Sequence, residues 1–71
     1  MEEVEKDCIY MLLPDGAEWE DLILFTNKED AIQASIKYKK RRVEIFNKQT
    51  NGTGYEPSYF YYKEGQLING N

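Results

Sequence analysis

Apolar positions along the chain fall into short continuous runs separated by turn-forming residues, with one stretch of helical spacing between them. Cys8-Ile9-Tyr10-Met11-Leu12-Leu13 is an unbroken apolar run of strand length, stopped by Pro14-Asp15-Gly16. Leu22-Ile23-Leu24-Phe25 is a second run, expected to pair with the first as an antiparallel hairpin with a wide connection. Thr26-Asn27-Lys28-Glu29 has the S/T-x-x-E form of a capping box, in which threonine and glutamate satisfy each other's backbone amides, so a helix is expected to begin at Asn27. Its apolar stripe is Ala31, Ile32, Ser35, Ile36 and Tyr38, at spacings of three and four. Glu29 and Asp30 lie at the positive end of the helix dipole and the lysines from Lys37 onward at the negative end, which predicts termination near Lys39 or Lys40.

Val43, Ile45 and Phe46 around Glu44 predict a third strand with Val43 and Ile45 on its apolar face. The polar, glycine-containing stretch 48–57 reads as a mobile loop, and Ser58-Tyr59-Phe60-Tyr61-Tyr62 as a fourth strand. Lys63-Glu64-Gly65-Gln66 then turns the chain into Leu67-Ile68 and a polar tail. The expected fold is one α+β domain of order ββαββ: a four-stranded, mainly antiparallel sheet with the helix across one face. One helix covers one face, and the apolar neighbours Ile9/Tyr10, Ile23/Leu24 and Ile45/Phe46 with the run Tyr59 to Tyr62 predict that the other face is not fully polar.

Length sharpens this picture, because 71 residues hold one core, and so small a domain gains margin from disulfides, a metal or a partner. With Cys8 the single cysteine and no histidine, an intramolecular disulfide is impossible and an N/S-liganded zinc site is not expected, so no cofactor or metal is expected and good packing or a partner remains as the support. The acidic start Met1-Glu2-Glu3-Val4-Glu5-Lys6-Asp7 has the wrong charge for a secretory signal, and the run 8–13 is too short to span a bilayer. The expectation is a protein that is neither secreted nor membrane-bound, so Asn51-Gly52-Thr53 reads as turn chemistry rather than a glycosylation acceptor.

Candidate chemistry is sparse. Cys8 sits within an apolar strand, where it acts as a small hydrophobe, and no histidine is present to serve as its base. Asn51-Gly52-Thr53-Gly54 opens no helix and lacks a phosphate-loop lysine, and the carboxylates Asp15, Glu18, Glu20 and Asp21 lack the spacing of a calcium loop. No catalytic residue is therefore expected. Two binding constellations remain. Trp19, Tyr59, Tyr61 and Tyr62 are aromatic side chains of the kind that anchor protein interfaces. Lys37, Lys39, Lys40, Arg41 and Arg42 form a basic cluster that offers cations to phosphates, although a net charge of −4 argues against coating nucleic acid over the whole surface.

At Trp19-Glu20-Asp21-Leu22-Ile23-Leu24-Phe25, Asp30-Ala31-Ile32-Gln33-Ala34-Ser35-Ile36-Lys37-Tyr38, Arg42-Val43-Glu44-Ile45-Phe46 and Tyr55-Glu56-Pro57-Ser58-Tyr59-Phe60-Tyr61-Tyr62-Lys63, the chain resembles short uncharacterised proteins of giant (nucleocytoplasmic large) DNA viruses. The resemblance spans most of the chain and brings no active-site residue with it. It implies a viral protein, either a minor virion component or an accessory factor in the host cytoplasm or nucleus. The resulting expectation is a non-enzymatic protein–protein interaction or self-association domain using Trp19, Tyr59, Tyr61 and Tyr62; the alternative is a nucleic-acid-binding accessory protein using the basic cluster.

Overall fold

The computed structural model describes residues 8–14 and 22–70. They form β1 (Cys8–Pro14), β2 (Ile23–Phe25), α1 (Lys28–Lys37), β3 (Arg41–Lys48), β4 (Tyr55–Lys63) and β5 (Gln66–Asn69). The strands make one five-stranded sheet of order β2-β1-β3-β4-β5, antiparallel at every pairing. The α+β class and the β1/β2 hairpin are as expected, whereas the four-stranded ββαββ detail is corrected to five strands. The missed strand is β5. Glu64 (φ 51°) and Gly65 (φ 83°) both take left-handed conformations, making a two-residue hairpin turn whose twist matches the strands and returns the chain alongside β4.

Helix α1 starts one residue later than the capping box predicts. Asn27 is the cap: its carbonyl accepts from Ala31 N and its Oδ1 from Asp30 N, both at 3.1 Å, leaving Thr26 outside. The helix also ends earlier, at Lys37, with Tyr38 N donating to Ala34 O. The reason lies in the neighbouring ladder: Leu13 pairs Arg42 and Pro14 pairs Arg41, so β1 draws both arginines into β3 and leaves only a tight turn after Tyr38. Pairing of β3 with β4 likewise takes Lys48 and 55–57 into strands, and the expected loop shrinks to 49–54.

Residues opposite one another in an antiparallel ladder share a face, so the register assigns the paired strand positions. Tyr10, Leu12, Val43, Ile45 and Tyr62 point toward α1 and form the core with Ala31 and Ala34. Val43 and Ile45 are the pair expected on the apolar face. Leu12 and Val43 are fully buried, each worth about 1.5–3 kcal/mol of transfer free energy. Mid-helix Ser35 is also fully buried: its Oγ donates to Ile32 O (2.7 Å) and accepts from Gly65 N (2.9 Å), tying the β4–β5 turn to the helix. The left-handed φ of Gly65 favours glycine, and an added Cβ would stand 3.0 Å from Ile36 Cγ1, so that side chain would have to shift.

Candidate functional site

The face away from α1 carries Ile9, Met11 and Leu13 of β1, Leu24 of β2, Arg42, Glu44 and Phe46 of β3, Tyr61 of β4 and Ile68 of β5. One continuous row, Leu24–Met11–Glu44–Tyr61–Ile68, crosses all five strands. Its matching row on the other face, Ile23–Leu12–Val43–Tyr62–Leu67, is the one α1 covers at its centre. Among the described residues no helix or strand lies over the first row, and Leu24 is 62% exposed. The expected incompletely polar second face is thus present, apolar at its centre around one charge pair, with Lys48 and Lys63 on the same face toward the strand ends.

That pair is Arg42 and Glu44, with Arg42 Nε donating to Glu44 Oε2 at 2.5 Å. The Arg42 guanidinium also lies 5.9 Å from the Tyr61 ring centroid, within cation–π range. Arg42, Glu44, Tyr59, Tyr61 and Gly70 line a surface notch of about 260 Å³. A bulge creates it. From Glu44 to Phe46 β3 advances two residues while β4 runs four, from Tyr61 back to Pro57, so β4 carries two extra residues. The bulge frees the Ile45 carbonyl from a regular ladder partner, and Ser58 Oγ donates to it at 2.7 Å. Tyr59 pays with a left-handed backbone, φ 69°, uncommon for a residue with a Cβ, and its carbonyl accepts from Gly70 N at 2.5 Å. A Cβ at Gly70 would stand 2.8 Å from that carbonyl, so the notch closes only around glycine.

The four aromatics singled out from the sequence separate. Tyr59 is 56% exposed and Tyr61 is half-buried on the open face, both beside the notch. Tyr62 is only 6% exposed, packed in the core with its ring centroid 6.3 Å from that of Tyr10, so it is not available to a partner. The correction follows from the pleat: neighbours on a strand point to opposite faces, and the Val43–Tyr62 pairing sends Tyr62 toward the helix. Trp19 lies outside the described residues.

The basic cluster separates too. Lys37 and Arg41 flank the Tyr38 ring at 5.4 and 5.0 Å, Lys39 and Lys40 are exposed in the turn, and Arg42 is on the open face with Glu44. Consecutive Arg41 and Arg42 diverge because they are strand neighbours. Charge is unevenly distributed along the chain: the described residues hold eight cations against five carboxylates, net +3, and the remaining acidic residues account for the negative total.

Two further grooves flank α1, whose ten residues span about 15 Å and cannot cover five strands. One of about 260 Å³ is lined by Tyr10, Ile45, Phe60, Tyr62 and Leu67 with Cys8 and Lys28 at its rim; another of about 450 Å³ lies between Ile23, Phe25, Ala34 and Tyr38. In the first, Cys8 Sγ donates to Asn47 Oδ1 at 3.3 Å. Burial and the adjoining Cys8 thiol push Tyr10 up to about 12. No described helix is long and apolar enough to cross a membrane. No protein-family model, curated protein or solved structure matches the chain.

Proposed function

We propose that this chain is a non-enzymatic interaction domain that binds a protein through the sheet face opposite α1, with Tyr59 and Tyr61 among the contact residues. The observation that carries the reading is the row Leu24–Met11–Glu44–Tyr61–Ile68, four apolar or aromatic side chains across five strands with no described element over them. A half-exposed apolar surface of this extent loses free energy when a partner removes it from water, at about 25 cal/mol per Å². The setting we propose is the one implied by the resemblance to proteins of giant DNA viruses: a minor virion component or an accessory protein inside the host cell. Its aliphatic part, Ile9, Met11, Leu13, Leu24 and Ile68, is suited to protein side chains rather than to stacked bases.

A photo-crosslinking residue placed at Met11 or Ile68 should yield protein adducts in the cells where the chain acts, and one at exposed Ile36 on the helix should not. Equal yields from both sides, or none from the sheet face, would overturn the reading. The nucleic-acid reading draws on the net +3 of the described residues and the exposed Lys39 and Lys40. It predicts binding to labelled oligonucleotides that falls steeply with salt and disappears on charge reversal at Lys39 and Lys40.

A further inference from the structure

Resting on the proposed interaction face, we infer that the partner it fits is a second copy of this chain, packed sheet on sheet about a two-fold axis. The charge pattern at the centre of the face is self-complementary in one orientation, in which Lys63 of each copy falls over the row of Tyr61 of the other and Lys48 lies beyond the overlap at the end of β3. Glu44 is the only carboxylate that the strands place on this face among the described residues, and Arg42 stands two positions away on the central strand β3. A two-fold axis lying in the interface and crossing β3 at right angles between them sets Arg42 of each copy over Glu44 of the other. The same operation sets Met11 over the second copy's Leu13, apolar against apolar, because those residues share the rows of Glu44 and Arg42 on β1. An axis running along β3 would instead stack Arg42 on Arg42 and Glu44 on Glu44, which like-charge repulsion disfavours. Two sheets stacked in the first way, about 10 Å apart and offset by about 30° of twist, form the aligned packing of a β-sandwich.

The size of the face sets the strength. Five strands at about 4.8 Å spacing and averaging about six residues at 3.3 Å give a footprint of roughly 500 Å² per copy, or about 1,000 Å² in all. That reaches the lower bound of specific interfaces and falls short of the usual 1,600 Å² or so, so the dimer should dissociate in the micromolar range. The half-buried Arg42–Glu44 pair within one copy then becomes half of a four-charge network that fixes orientation.

Sedimentation velocity and light scattering on the full chain from low to high micromolar concentration test this, with the variants Glu44→Arg, Arg42→Glu and Met11→Glu. The wild type should pass from monomer to dimer across that range. Each charge reversal alone puts four like charges at the interface and should weaken self-association by about tenfold or more, and an equimolar mixture of Glu44→Arg with Arg42→Glu should restore it as a heterodimer. Met11→Glu should abolish the dimer while leaving the far-UV circular dichroism unchanged. A dimer that ignores charge reversal, is not restored by mixing, or survives Met11→Glu overturns the inference. A wild type that is monomeric throughout also overturns it, whether or not nucleic acid shifts it at low salt. Crosslinking from position 68 separates the two levels: a monomer that still yields adducts with another protein leaves the interaction face standing, and one without adducts removes both.

Discussion

Tyr61 and Tyr62 are chain neighbours with the same side chain, and alanine at each should have opposite consequences. Tyr62 is 6% exposed, cross-strand from Val43 and Leu67 and packed on Tyr10, so truncation opens a cavity beneath α1. Aromatic-to-alanine changes in cores cost about 3–5 kcal/mol, and 71 residues carry about 4–11 kcal/mol in total. Tyr62→Ala should therefore sit close to global unfolding. Tyr61 lies on the open face between Glu44 and Ile68, where cross-strand pairs contribute about 0.2–1 kcal/mol each, so Tyr61→Ala should cost about 1 kcal/mol. With an m-value near the low end for small domains, about 1 kcal/mol/M in urea, the midpoints should fall by about 3 M or more and about 1 M respectively. Urea titration followed by far-UV circular dichroism measures both shifts, and crosslinking or sedimentation on folded Tyr61→Ala measures its binding. Equal shifts, or a larger loss at Tyr61, would refute the facing assigned by the ladder register; an unaltered Tyr61→Ala in the binding assays would remove it from the contact surface.

Ser35→Ala should lower stability by about 1–2 kcal/mol, since the Gly65 amide loses its acceptor while the gain in helix propensity returns only about 0.5 kcal/mol; a neutral or stabilising result in thermal unfolding would show the bond contributes nothing. Tyr59→Gly relieves a left-handed tyrosine but loosens the unfolded chain, so stability should hold or rise by up to about 1 kcal/mol while partner capture or self-association weakens; a marked drop in the unfolding midpoint would place the ring in the core instead. Alkaline pH should destabilise the fold through Tyr10. Its folded pKa is raised from 10.0 to about 12, so the native state keeps a proton that the unfolded chain releases. This contribution is intact below pH 10 and is lost as pH climbs toward 12, by roughly 2–3 kcal/mol in all. Equilibrium unfolding across that window should show the loss, and Tyr10→Phe should flatten it; identical pH profiles for the two proteins would contradict the burial argument.

Legibility in the sequence followed the range of the interactions involved. The runs at 8–13 and 43–46 were readable as strands because burial on both faces or on alternate positions writes itself into local composition, and the helix because its apolar stripe repeats within one turn. Its ends were misplaced by one to three residues, since Asn27 and Thr26 are both good caps and the termination depends on how far β1 pulls β3 into its ladder. β5 stayed hidden because a four-residue strand whose apolar residues, Leu67 and Ile68, are not buried looks like a tail until the Glu64–Gly65 turn pairs it with β4.

What the chain determines alone, then, is the class: a small α+β fold with more apolar strand surface than α1 can cover, because the amounts and periods of apolar residues are local properties. Alternation along a strand is also local, but which parity meets the helix is not. Register across β1, β3 and β4, shifted by a two-residue bulge, put Tyr62 inside and Tyr61 outside and gave the open face to Arg42 rather than Arg41. Only the tertiary structure could make that choice, because it rests on hydrogen bonds between residues far apart in sequence, and a slip of one position would have exchanged the core for the open face.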